Sequence, residues 1–223
     1  MNPLDYLRLQ LRLEGKEIIG DNLLKQVEVV PDEEVPLLLI AQLADERLVA
    51  YFDEESPTEL REALQARLSK FSFPNVDTFS SFLQSRNIFF EVGQYKTNIF
   101  PEQYASFEAE AVHRFSKQDP KVQDFGFDGF AEAVYAIERG GKIVSACVST
   151  RENDFCGEAW VYTDPEYRNQ GLAQKVVGAW AMSLLTDGKV PFYSHKVQNT
   201  ASANLAKRLS LRPVFEEIVF SVV

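Results

Sequence analysis

The stretch Val161-Tyr-Thr-Asp-Pro-Glu-Tyr-Arg168-Asn-Gln-Gly171-Leu-Ala173 combines residue types that could hold a compact anion. An apolar run passes through a proline turn into a basic, glycine-containing helix start. The first N–H groups of a helix have no partner within it and lie at the positive end of its dipole, so a phosphate or pyrophosphate suits them. Small residues at 171 and 173 let the backbone approach the anion, and Arg168 can add a charged donor. Neither Gly-Lys-Ser/Thr nor Gly-x-Gly-x-x-Gly is present, which separates the pattern from the Walker and dinucleotide loops. The local charge agrees: residues 168–212 carry seven bases and one acid, Asp187, inside a chain of net charge −10. A polyanionic ligand requires such a local excess.

These residues must be positioned by regular elements. Residues 133–138, 142–150 and 158–163 read as three short strands, the first two joined by a tight Gly140-Gly141 turn, and their order predicts antiparallel pairing. Leu172, Val176, Trp180 and Leu184 recur at four-residue spacing and predict a helix over 171–187 that ends at Gly188. A strand over 192–197, a helix over about 200–209 capped by Asn199 or Thr200, and a last strand over 214–222 complete this half. Upstream, 88–92 reads as a strand. Pro101 opens a helical stretch with Tyr104, Phe107, Glu108, Ala111 and Phe115, and 119–129 reads as a connection. In the first part, strands over 35–41 and 47–52 form a hairpin. Ser56-Pro57-Thr-Glu59 caps a helix over about 57–69, and a shorter helix covers 76–83.

With that order of elements, Arg168-x-x-Gly171-x-Ala173 after Val161-Tyr-Thr163 and a Pro165-x-Tyr167 turn resembles the acetyl-CoA-binding motif of the GNAT superfamily of N-acetyltransferases. Tyr193-Ser-His195, Asn199, Ser202, Leu205-Ala206 and Arg208-Leu209 resemble that family's second conserved region. The likeness spans about residues 87–223 and is strongest over 157–211. It implies an α/β (α+β) fold with a mixed, largely antiparallel sheet flanked by helices. It also implies acetyl-CoA as co-substrate and direct transfer of acetyl to a primary amine of a small-molecule or amino-acid-like acceptor. Carried over residue by residue, the resemblance implies that backbone groups of Val161, Tyr162 and Thr163 bind the pantetheine arm and the thioester carbonyl. Arg168, Asn169, Gln170, Gly171, Leu172 and Ala173 would hold the pyrophosphate, and Asn199 and Ser202 would approach the pantetheine end. The sequence departs from the family at Ala206, where many members carry a Tyr that protonates the departing thiolate, and at Ser210, where many carry Gly. The general acid is thereby left unassigned. A second reading follows from this, a catalytically degenerate acyl-CoA-binding module in which the cofactor regulates an interaction.

Acetyl transfer needs a neutral amine about 3–3.5 Å from the thioester carbon, donors for the developing oxyanion and a route for the amine proton. Glu158 and His195 are the candidate catalytic groups, with Tyr193, Ser194 and the Val223 carboxylate as further candidates. Strand alternation sets Glu158, Trp160 and Tyr162 on the face opposite Gly157, Ala159 and Val161. Cys147 and Cys156 are expected to be buried thiols, and no metal-ligand cluster is visible around them or around His113 and His195.

Composition bounds the rest. The chain has 223 residues, 45% of them hydrophobic, enough for one or two cores. Net negative charge opposes nonspecific nucleic-acid binding, and no apolar run approaches a membrane span or a signal segment, so the expectation is a cytoplasmic protein with no nucleic-acid or membrane partner. The first 86 residues hold 16 acids and 9 bases and carry no chemical motif. They are expected to form a smaller N-terminal α+β subdomain ahead of a GNAT-like domain over 87–223, either walling the acceptor pocket or forming a homodimer surface. Phe71, Phe73, Phe89, Phe90, Phe125 and Phe127 are expected to fill the core.

Overall fold

The computed structural model describes residues 1–223 apart from 32, 103, 105–110 and 128–132. It divides into two compact units, residues 1–96 with 214–223, and residues 97–213.

In the first unit α1 (Pro3–Leu13) opens on a capping box: the Asn2 side chain accepts from the Asp5 amide while the Asp5 carboxylate accepts from the Asn2 amide. Next come the antiparallel pair β1 (Lys16–Ile19) and β2 (Leu23–Gln26), then the expected hairpin of β3 (Leu38–Leu43) and β4 (Leu48–Asp53), with β2 parallel to β4. The helices α2 (Thr58–Leu68) and α3 (Asp77–Ser85) bring Leu64, Phe79, Phe82 and Leu83 into one core with Leu38, Ile40 and Phe52. Ser56 does not cap α2. Pro57 holds the N-cap position, and the Ser56 hydroxyl instead donates to Asp53 at 3.1 Å. β5 (Phe90–Ile99) runs well past the expected 88–92, through a polar sequence, and carries the chain from the first unit into the second. Phe71, Phe73 and Phe90 pack against the core as expected, but Phe89 is 77% exposed.

The second unit is a sheet with helices on both faces. Its strands are β6 (His113–Ser116), β7 (Ala133–Arg139), β8 (Lys142–Glu152) and β9 (Cys156–Thr163), each antiparallel to the next. Phe115 therefore sits in a strand, not in the expected helix, whereas Phe107 and Glu108 of that helix lie outside the described residues. The expected connection over 119–129 contains α4 (Pro120–Phe125), capped by the Asp119 side chain on the Lys121 amide and ended by Gly126 at φ +79°. On this face Val122 and Phe127 pack over Val134, Ala136, Ala146 and Val148.

The other face carries α5 (Leu172–Thr186), whose Val176, Trp180 and Leu184 pack with Ile137, Val144 and Cys147. Each large apolar side chain so buried contributes roughly 1.5–3 kcal/mol. The indole N–H of Trp180 donates to Ser149 Oγ at 2.9 Å, which satisfies its one polar group. Gly157 permits the close approach of helix and sheet, since a Cβ there would lie 2.9 Å from Leu184 Cδ1 and 3.2 Å from Ser149 Oγ.

After α5, β10 (Val190–Lys196) runs parallel to β9 through three residue pairs, Val190↔Cys156 to Phe192↔Glu158. On its other side, Thr97 and Asn98 at the end of β5 bond to Ser194 Oγ at 3.0 Å and the Tyr193 carbonyl at 3.1 Å. The helix α6 (Thr200–Arg208) follows, then β11 (Arg212–Val222), most of which belongs to the first unit. It pairs antiparallel with β3 from Phe215↔Leu43 to Phe220↔Leu38, and Ile218 and Phe220 complete that unit's core. Among the described residues no helix is long and apolar enough to cross a membrane, and no three His, Cys, Asp or Glu side chains are grouped to hold a metal ion.

Candidate active site

The link from β9 to α5 is shaped by backbone conformation. Pro165–Tyr167 form one 3₁₀ turn, Arg168 is extended, and Asn169 and Gly171 take left-handed φ of +62° and +76°. Such values disfavour any residue with a Cβ, Asn least among them, which accounts for the residue types at both positions. No side chain caps α5, and its first turn holds no acid. The leading amides are thus left for an anion.

They open onto a cavity of about 590 Å³ in the second unit, which is of a size to take a small-molecule ligand. One wall is the end of β9 (Val161, Tyr162, Thr163) with the turn and the first residues of α5. The opposite wall is Tyr193 of β10 and one face of α6, where Ala201, Asn204, Leu205 and Arg208 follow at helical spacing. The N-terminus of α6 also meets the cavity. Asn199 Oδ1 accepts from the Ser202 amide at 3.1 Å, so Asn199 is both the helix cap and a lining residue.

The electrostatics favour negative charge. Arg168 donates from Nε to the Thr163 carbonyl at 3.0 Å and holds its guanidinium carbon 5.7 Å from the Tyr162 ring centroid. Neither Arg168 nor Arg208 has a carboxylate within ion-pair distance among the described residues. Both charges remain available to a ligand. Tyr193 is 2% exposed, and burial pushes its phenol up to about 12 against the opposing effect of a hydrogen bond with Ser202.

Ten of the eleven residues expected to hold the cofactor line this one cavity: Val161, Tyr162, Thr163, Arg168, Asn169, Gly171, Leu172, Ala173, Asn199 and Ser202. Gln170 does not. Glu158 and His195 also lie outside the lining. Glu158 is buried and ion-paired with Arg151, whose Nε donates to it at 3.1 Å. His195 is buried with Nδ1 3.0 Å from the Lys196 carbonyl and its ring 6.2 Å from that of Tyr193. Ala206 is buried in the α5 core rather than in the lining. Gln174, Thr200, Ala201 and Asn204 are lining residues that the motif did not include. For the last two, the i, i+4 relation of Ala201 to Leu205 and of Asn204 to Arg208 is the signal that finds them.

A family model described as GNAT acetyltransferase matches residues 25–220. An uncharacterised N-acetyltransferase of Bacillus subtilis, YdfB, is 30% identical over 99 residues, 44% of this chain and 37% of that protein, so the match spans well under half of the relative. Among solved structures, a protein of Novosphingobium aromaticivorans assigned to the GNAT acetyltransferases superposes with a TM-score of 0.51 at 18% identity, over 60% of this chain and 66% of its own. A protein of unknown function from Staphylococcus epidermidis superposes with a TM-score of 0.50 at 10% identity, over 73% and 77%. These structural likenesses establish the fold.

Proposed function

We propose that this chain, which belongs to the GNAT acetyltransferase family, transfers the acetyl group of acetyl-CoA to a primary amine of a small-molecule or amino-acid-like acceptor by direct attack. The observation that carries the reading is the uncapped N-terminus of α5, held open by left-handed Asn169 and Gly171, on a cavity flanked by two arginines that have no acid partner among the described residues. These residues fit a pyrophosphate: the amides of Gly171, Leu172 and Ala173 would donate to it, and Arg168 would add charge. Asn199 and Ser202 would meet the pantetheine end, and Arg208 would meet a further phosphate. The bound co-substrate would supply an activated thioester.

The protein's own groups would then orient the amine, receive its proton and stabilise the leaving sulfur. His195 is the better supported of the two candidate bases. If Nδ1 donates to the Lys196 carbonyl, the neutral ring keeps Nε2 as an acceptor. Glu158, neutralised by Arg151, is the weaker one. A cytoplasmic location belongs to the same reading and is supported by Cys147 and Cys156 being buried and not joined in a disulfide.

Calorimetric titration of acetyl-CoA into the wild type and into Gly171→Trp tests the cofactor assignment. Binding that is lost in a folded variant, with thiol release in the presence of a primary-amine panel, is the expected result. No binding by the folded wild type overturns the assignment. Tight binding without turnover over a broad panel points instead to an acyl-CoA-regulated module.

A further inference from the structure

Strand β9 has a second face with chemistry on it. Alternation turns Trp160, Tyr162 and Asp164 away from Ala159 and Val161, which pack in the α5 core. On that side α4 and the residues after it contribute Asp124, Phe125 and Phe127, and the six side chains border a cavity of about 750 Å³. The ring centroids of Phe125 and Tyr162 are 5.8 Å apart and those of Phe127 and Trp160 6.3 Å, so the floor is a continuous aromatic surface. Trp160 and Tyr162 are nonetheless 47% and 39% exposed, high values for large rings in a strand that is not at the sheet edge.

Charge selects the ligand. Asp124 and Asp164 border the groove, and neither is in an ion pair among the described residues. Of the two lysines beside them, Lys121 is tied to Glu138, so among the described residues of the lining Lys142 faces two carboxylates. The Arg168 guanidinium, which lines the cavity of α5 and α6, lies near the Tyr162 ring, so one of these rings already has a cation beside it. Aromatic faces with two carboxylates suit an organic cation that has an apolar body. Tyr162 lines both this groove and the cavity of α5 and α6, so a single strand is the shared wall between them.

We propose that this groove binds an organic ammonium ion, a primary amine on an aromatic or alicyclic body, on the face of β9 away from the cavity of α5 and α6. This binding does not rest on the acetyl-transfer reading above. The body would lie on the rings of Trp160, Tyr162 and Phe125, and the ammonium would meet Asp124 and Asp164. A volume of this order admits a small molecule and is too small for a folded partner.

The protein has two tryptophans, and Trp180 is 1% exposed, so quenching of fluorescence by acrylamide reports chiefly on Trp160. The probe is 2-phenylethylamine, with 2-phenylethanol and 3-phenylpropanoate as neutral and anionic controls and acetyl-CoA titrated in parallel. The amine is expected to shield Trp160 saturably and to bind at least tenfold tighter than either control. Asp124→Asn and Asp164→Asn, each checked for folding by circular dichroism, should each weaken it several-fold and together abolish the preference over 2-phenylethanol. Equal binding of all three compounds, no saturable binding of any, or unchanged amine affinity in the double variant overturns the proposal. Acetyl-CoA binding without amine binding removes the groove and leaves the transfer reading standing. Amine binding without acetyl-CoA binding does the reverse.

Discussion

Gly171 is fixed by its backbone and not by crowding: at φ +76°, a Cβ would meet nothing nearer than Gln174 Oε1 at 3.7 Å. Gly171→Ala should therefore cost only conformational strain, about 1–2 kcal/mol in urea unfolding, and should weaken acetyl-CoA binding as the turn relaxes. Tyr193 makes a sharper case. Its phenol is raised from 10.0 to about 12, so the folded state holds a proton that the unfolded chain releases first. Stability that is intact below pH 10 should fall as pH rises towards 12, by roughly 2–3 kcal/mol at about 1.4 kcal/mol per pH unit. Urea midpoints across that range should show a steeper loss in the wild type than in Tyr193→Phe. The same variant probes the leaving group, since Tyr193 offers a buried hydroxyl in a cavity that Ala206 does not reach. Lower turnover with unchanged acetyl-CoA affinity is the expected outcome.

The strand, turn and helix from β9 to α5 could be read from the sequence because each signal was local: four-residue apolar spacing, a proline turn and a glycine at each end of the helix. The same holds for the β3–β4 hairpin and for α6 with its Asn199 cap. Elements whose stability comes from distant partners could not be read. β1 and β2 have four residues each and little alternation. The end of β5 is polar in sequence, yet Thr97 and Asn98 are buried because β10 supplies hydrogen-bond partners. The turn from β9 into α5 was legible as a motif. The places of Glu158 and His195 were not, because the Arg151 pairing and the Lys196 carbonyl bond depend on tertiary placement. Gly157 shows the same limit, being an ordinary strand residue until α5 lies against it. Gly157→Ala should cost about 1–3 kcal/mol by overpacking against Leu184, and Leu184→Ala in the same chain should recover part of that loss relative to the sum of the two single effects.

For the whole molecule, the contrast of a −10 chain with a basic stretch over 168–212 sets how a polyanion is met. Acetyl-CoA affinity should fall as sodium chloride rises from about 20 to 500 mM, because the Debye length contracts from roughly 20 Å to about 4 Å. Arg208→Ala should flatten that dependence, as calorimetry over a salt series would show. Unit composition has a different consequence. Residues 97–213 are contiguous, whereas the first unit needs β11, with Ile218 and Phe220 at its centre, to join residues made long before. On a ribosome the later-made unit is therefore the earlier to be complete. The N-terminal segment must wait with Leu38, Ile40 and Phe52 lacking their β11 partners Ile218 and Phe220 while more than a hundred further residues are synthesised, a delay during which a chaperone has something to hold.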